Sequence, residues 1–219
     1  MSVIDTRSLT ERVYDYLLDQ IIAGSIKYGE VLSIRTIAEQ LKISTMPVRE
    51  AVTRLAFEQI VEIKPRSNCQ VKVPSRSMIA DVYDAREMLE LHALTKSLKR
   101  PDPEKLAALW RIVEEMRGLE REQDPASREK RAVDLDRRFH AGVCQLAGNE
   151  FIDQFYRQLA LHVNMTLIHQ KTYDKLKKQY CESHAEILRC LEKDPPAALE
   201  VLRKHFRDTK KVLLKNDKE

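Results

Sequence analysis

Ser44-Thr45-Met46-Pro47-Val48-Arg49-Glu50-Ala51 decides how the chain is read, within the longer stretch from Ser33 to Val73. Just before it, Ile34, Ile37, Ala38 and Leu41 recur at helical spacing. Lys42-Ile43-Ser44 leaves room only for a tight turn, in which Ser44 can cap the next helix and Pro47 fits its first turn. Val48, Ala51, Val52, Leu55 and Ala56 then form an apolar stripe, with Arg49, Glu50, Thr53 and Arg54 off it. Two helices across so short a turn form a helix-turn-helix, whose second helix can enter a DNA major groove.

Downstream, Val61 and Ile63 alternate with Glu62 and Lys64, and Val71 and Val73 flank Lys72. These period-two runs surround Pro65-Arg66-Ser67-Asn68 and predict a hairpin with a basic tip, placed as a wing beside the reading helix. A three-helix domain with an incidental hairpin fits the same pattern. Leu9 to Ala23, with Val13, Leu17, Ile21 and Ile22 inward, supplies the first helix.

Bulk numbers say less. The 219 residues carry a net charge of +4, and the halves are similarly balanced, +1 for residues 1–75 and +3 for residues 76–219. Only the local count points to a polyanion: residues 42–72 hold six Lys and Arg against three acids. Cys69, Cys144, Cys181 and Cys190 show no paired short spacing and read as reduced thiols. The start carries no basic-then-apolar leader, and the longest uncharged run, Gln158 to Gln170, falls well short of a bilayer span. A cytoplasmic, soluble protein without membrane contact is expected.

Gly24 to Leu32, Arg35-Thr36-Ile37-Ala38 and Ser44 to Val52 resemble the winged-helix domain of GntR-type bacterial regulators, above all in the Pro47-Val48-Arg49-Glu50-Ala51 string. The resemblance implies double-stranded operator DNA as partner, contacted by Arg35 and Arg49, with Ser44, Thr45, Arg54, Arg66 and Asn68 as further candidates. Three positions depart from the family's usual residues, which are Arg at Thr45, Gly at Gln59 and Gly at Asn68.

After Pro74-Ser75-Arg76-Ser77, the one plausible linker, only helical patterns appear. They run over Met78–Lys99, Glu104–Arg121, Pro125–Ala147, Glu150–His169 and Tyr173–Glu192, with a last one from Pro195-Pro196 towards Lys215. Ser77 is a candidate cap for the first, and Ile79, Val82, Tyr83, Met88, Leu89 and Leu94 are expected to face inward. The fold class is mainly α: a winged helix-turn-helix domain over 1–75 and an all-α antiparallel bundle over 76–219, able to hold a pocket.

Asp136 and His140 are one helical turn apart, and His184 and His205 fall on apolar faces of two later helices. Three inward imidazoles and a carboxylate are costly to bury without a shared partner. A divalent metal would suit them, zinc first, with nickel, manganese or iron as alternatives; taken singly, each His also fits as a hydrogen-bonded core residue. Asp136-Arg137-Arg138-Phe139-His140, Ala147-Gly148-Asn149, His184 to Leu188, Lys204-His205 and Tyr83 to Glu90 resemble the FCD-type effector domain of the FadR-like GntR branch. That resemblance implies a metal held by Asp136, His140, His184 and His205. The interval from His184 to His205 is one residue shorter than is usual there.

An open coordination position would take a small carboxylate, with Arg86 as partner for its second oxygen or, alternatively, paired with Glu90 within its helix. His162 and His169 are candidates to line the pocket or to pack, and Cys144 and Cys181 to join the site or serve as small core residues. The expectation is a ligand-responsive transcription regulator acting as a homodimer, a repressor because relief by effector is the commoner family behaviour, and no enzyme. Two alternatives remain: a metal-dependent hydrolase or lyase fused to a DNA-binding module, although neither HExxH nor a Gly-rich phosphate loop is present, and a DNA-binding protein with a purely structural metal.

Overall fold

The computed structural model describes residues 8–64, 68–99, 101–170 and 172–215; the side chains of residues 68, 167–170, 172, 174, 175 and 177–179 stand outside that description. It divides into two compact units, Met1–Val73 and Pro74–Glu219.

The first unit packs three helices beside a small sheet. Helix α1 (Leu9–Ile22) opens with a reciprocal capping box between Ser8 and Glu11. Helix α2 (Ile34–Leu41) is capped by the Ser33 hydroxyl and ends at Lys42, which takes the left-handed conformation (φ 56°) that turns the chain sharply. Helix α3 (Thr45–Phe57) follows at once, with Pro47 in its first turn and Val48, Ala51, Val52 and Leu55 buried against α1 and α2. Gln59 is left-handed too (φ 60°) and swings the chain into the hairpin.

Strands β2 (Val61–Lys64) and β3 (Asn68–Val71) pair antiparallel, Lys64 opposite Asn68 and Val61 opposite Val71. A strand the alternation did not foretell, β1 (Val31–Leu32), closes the other edge of β3, giving the order β1-β3-β2. Two residues carry no periodicity. What places them is the pairing of Leu32 with Cys69, both in the core.

The second unit is all α among its described residues. It comprises α4 (Arg76–Ser97), α5 (Pro103–Arg117), α6 (Pro125–Gln145), α7 (Glu150–Gln170), α8 (Thr172–Lys193) and α9 (Pro195–Lys215), with a 3-10 turn at Gly118–Arg121. Ser75 rather than Ser77 caps α4, its hydroxyl accepting from the Met78 amide. Asp102 and Asp124 cap α5 and α6, each with a proline in the first turn. The core gathers Leu94, Leu109, Val113, Phe139, Val143, Leu188, Leu202 and Phe206.

Helix α4 corrects one expectation. Its buried stripe is Ile79, Val82, Tyr83, Arg86, Glu90, Ala93, Leu94 and Ser97, so Met88 falls on the opposite side and is 65% exposed, while two charged residues lie in the core. Among the described residues no helix is long and apolar enough to cross a membrane.

Candidate metal centre and nucleic-acid interface

Three helices, α6, α8 and α9, bring Asp136, His140, His184 and His205 together. Each offers one ligand atom, and the four atoms lie within 4.8 Å of one another. Asp136 and His140 share a face of α6 because they are one turn apart, and Phe139 packs edge-on against His184 (centroids 4.6 Å apart). The three imidazoles form a compact triangle, with ring centroids 5.1, 5.0 and 4.7 Å apart.

What orients the rings is a second set of bonds. His140 Nδ1 lies 2.5 Å from Glu90 Oε2, His184 Nδ1 lies 2.5 Å from the Tyr180 carbonyl, and His205 Nδ1 lies 3.1 Å from Ser183 Oγ. With Nδ1 of each ring so occupied, Nε2 is the nitrogen left for a shared ligand, the arrangement by which protein scaffolds fix the tautomer of metal-binding histidines. The carboxylate is held likewise: Arg86 Nη2 donates to Asp136 Oδ2 (3.1 Å) and leaves Oδ1 facing the rings.

These distances test whether an ion fits. His140 Nε2 and His184 Nε2 are 3.2 Å apart, and Asp136 Oδ1 is 3.4 Å from His184 Nε2 and 3.6 Å from His140 Nε2. Bonds of about 2.0 Å from a tetrahedral ion put neighbouring donors about 3.3 Å apart. The donor set, nitrogen and oxygen without thiolate, is one that a first-row divalent metal accepts. The residues present can hold such an ion.

Burial and neighbouring charges set the protonation of the four donors. Burial would push the Asp136 carboxyl up, yet the Arg86 guanidinium and His140 hold it well below the usual carboxylate range, so it stays ionised. Burial pushes His184 down, and burial with the neighbouring imidazoles pushes His205 well below the ordinary histidine value; both are therefore neutral at pH 7 and carry free lone pairs. Burial and Arg86 would lower His140 as well, but Glu90 and Asp136 outweigh them and raise it.

The cluster forms part of the floor of a cavity of about 380 Å³ between α6, α8 and α9. Asp136, His184 and His205 line it; Arg86 and His162 do not. Arg86 is 1% exposed, with its Nε on Glu90 (2.8 Å), the intrahelical pairing anticipated for it, and its Nη2 on Asp136, so its guanidinium is committed to two buried carboxylates. Helix α7 carries His162 half-buried, and the His169 side chain lies outside the described residues. Cys144 is buried and Cys181 meets the Val113 carbonyl; neither belongs to the cluster. Glu90, fully buried, was not anticipated as part of the site. Its signal was a second charge on the apolar stripe of α4, four residues after Arg86.

In the first unit Ser44, Thr45, Met46 and Arg49 are exposed at the start of α3. Ser44 occupies the N-cap position, but its hydroxyl makes no capping bond. Arg35 is exposed and paired with Glu39 (2.9 Å). The Arg54 guanidinium stacks 4.0 Å above the Tyr14 ring and bonds Glu58, to which Tyr14 also donates, so it is braced within its own unit. Arg66 and the Asn68 side chain lie outside the described residues.

Comparison with known proteins agrees on both units. Residues 9–71 match the model of bacterial regulatory proteins of the gntR family, and residues 81–208, more than half of the chain, match the FCD domain. The HTH-type transcriptional regulator McbR of Escherichia coli (strain K12) is 26% identical over 152 residues, 69% of this chain and 67% of the relative. The gluconate operon transcriptional repressor of Bacillus subtilis (strain 168) is 34% identical over 106 residues, 48% of this chain and 43% of the relative. A crystal structure of a GntR transcriptional regulator from Rhodococcus sp. RHA1 shares the fold at a TM-score of 0.81 and 22% identity, covering 96% of this chain and 99% of that one. The chain belongs to the GntR family of bacterial transcription regulators, in the branch whose second domain is of the FCD type.

Proposed function

We propose that this regulator binds palindromic operator DNA as a homodimer through residues 1–75. Residues 76–219 would hold a divalent metal, zinc first, on Asp136, His140, His184 and His205, and would admit a small carboxylate effector beside it. The observation that carries the reading is the convergence of four donors, each ring turned inward by its own second bond. When bound, the ion supplies a Lewis-acidic point for an anionic oxygen.

Charge supports an anionic effector. Arg86 offsets one of the two buried carboxylates, Glu90 and Asp136, and a divalent ion exceeds the other by one charge. A monoanion entering the cavity would neutralise that surplus, which a low-dielectric interior otherwise penalises. The repressor sense follows the name of the Bacillus relative and the commoner behaviour of the family.

The DNA-reading set is Arg49 with Ser44 and Thr45 on α3, then Arg35, with Arg66 and Asn68 on the wing. Arg54, braced by Tyr14 and Glu58, ranks last among them. A homodimer is favoured by the outer face of α4 and α7, where Met88, Phe151 and Phe155 are 65%, 71% and 53% exposed. Two-fold symmetry would set two reading heads about one helical turn of DNA apart, about 34 Å. Effector binding beside Asp136 would act through Arg86 on α4, the helix that follows directly from the reading unit in sequence.

Elemental analysis of the purified protein and of His184→Ala tests the metal, and a gel-shift titration with and without carboxylate tests the response. Full metal occupancy in the variant would end the site assignment. Operator binding indifferent to every carboxylate would leave the metal a structural role only.

A further inference from the structure

Among the described residues, the cavity above the metal cluster has mainly apolar walls, with the buried Thr209 on α9 as the polar exception, and a charged rim. Ala132, Val133, Tyr173, Leu176, Tyr180 and Val201 line it from α6, α8 and α9. The Tyr180 hydroxyl is already spent on the Ala132 carbonyl (2.5 Å), so the ring presents its carbon face. At the floor, Ser183 is committed to His205 and to the Tyr180 carbonyl. At the rim, Arg189 is paired with Glu182 and Glu186, and Lys204 with Asp208 (2.6 Å). Among the described lining residues, every cation therefore already has an acidic partner.

We infer that the effector is a monocarboxylate with an apolar tail, alkyl or aromatic, and neither a sugar acid nor a dicarboxylate. This rests on the carboxylate reading above and narrows it. A single anionic head answers the surplus charge at the floor. Among the described lining residues, a second carboxylate would have to break a rim ion pair to find a counter-charge. Hydroxyls along the tail would exchange water mainly for the side chains of valine, leucine and tyrosine, with Thr209 as one polar neighbour, and buried hydroxyls without partners are strongly disfavoured. A volume of about 380 Å³ suits a tail of several carbons.

The test is isothermal titration calorimetry on the zinc-loaded full chain with acetate, butyrate, hexanoate, glutarate and gluconate. Affinity should rise about fourfold per methylene from acetate to hexanoate, as about 0.8 kcal/mol per buried methylene requires. Gluconate, the hydroxylated counterpart of hexanoate, should bind on the order of a hundredfold more weakly. Glutarate should gain nothing from its second carboxylate.

Val201→Thr keeps the wall's shape and adds a hydroxyl; it should weaken hexanoate at least about threefold and leave acetate unchanged. A flat alkyl series, a Val201→Thr variant that binds hexanoate unchanged, or tighter binding of gluconate or glutarate than of hexanoate would overturn the apolar tail while leaving a carboxylate effector standing. Failure of all five to bind would overturn the carboxylate reading and this inference with it.

Discussion

Replacing Glu90 by glutamine tests the buried network at the point where it holds most. Glu90 is fully buried and accepts from two donors, Arg86 Nε at 2.8 Å through Oε1 and His140 Nδ1 at 2.5 Å through Oε2. Glutamine keeps the volume, so no cavity term enters. It offers only one acceptor oxygen, and its amide nitrogen must face the other donor. One buried N–H loses its partner, and Arg86 keeps only Asp136 as counter-charge.

Breaking a buried ion pair in this way costs roughly 3–5 kcal/mol. The hydrogen bond that glutamine retains returns about 1 kcal/mol, leaving a loss of about 2–4 kcal/mol in folding stability. Metal affinity falls separately, because His140 is no longer pinned in the tautomer that turns Nε2 inward; removal of such a partner typically costs 10–100-fold.

The protein carries its own probe. Trp110 is the chain's single tryptophan and sits in the second unit, its indole N–H donating to Glu192 (3.0 Å), so urea unfolding followed by its fluorescence reports that unit alone. Zinc affinity is read by competition with a chromogenic chelator. A Glu90→Gln protein with an unchanged urea midpoint and a zinc affinity within about twofold of the parent would refute the network argument.

Arg49→Ala, at an exposed position on α3, should weaken binding to an operator selected from random-sequence DNA by roughly 10- to 100-fold while leaving the melting temperature and metal content alone; unchanged binding in a gel shift removes Arg49 from the interface. Gln59→Gly should stabilise the first unit by about 0.5–1 kcal/mol, since Gln59 pays for its positive φ and the added freedom of unfolded glycine offsets only part of the gain; a lower melting temperature would contradict this. Gly142→Ala should destabilise the second unit by about 1–3 kcal/mol despite alanine's better helix propensity, because the new Cβ would stand 2.7 Å from Leu109 Cδ2; a neutral result in the Trp110 unfolding curve would mean that Leu109 has room to move.

The sequence resolved the elements whose reasons are local. Ile34 and Pro125 open helices where the pattern places them, behind caps at Ser33 and Asp124, while α5 begins one residue before the expected Glu104, at Pro103 behind the Asp102 cap. Strand β1 escaped because its cause is long-range: Val31 and Leu32 extend only because β3, nearly forty residues later, presents Cys69 and Gln70 to them. Met88 was misplaced for a related reason. On α4 hydrophobicity alone does not identify the buried face, since Arg86 and Glu90 lie in the core and a methionine does not. A rule that sends apolar residues inward fails where the interior is itself charged.

The same interior explains why the four clustered residues could be named from sequence while their supports could not. Asp136 and His140 betray themselves by a four-residue interval, and His184 and His205 by lying among leucines and valines; each is a local anomaly on its own helix. Glu90 reads instead as one half of an ordinary i, i+4 pair with Arg86, the commonest arrangement on a solvated helix face. Only when α4 packs against α6 and α9 does the pair become something else, a bridge from His140 through Glu90 and Arg86 back to Asp136. Such a closed loop of bonds constrains His140 and Asp136 on α6 from α4. On the proposed effector reading, a ligand that shifts Asp136 would strain Arg86, and with it the helix that begins at Arg76, which would give occupancy of the cavity a route along the chain.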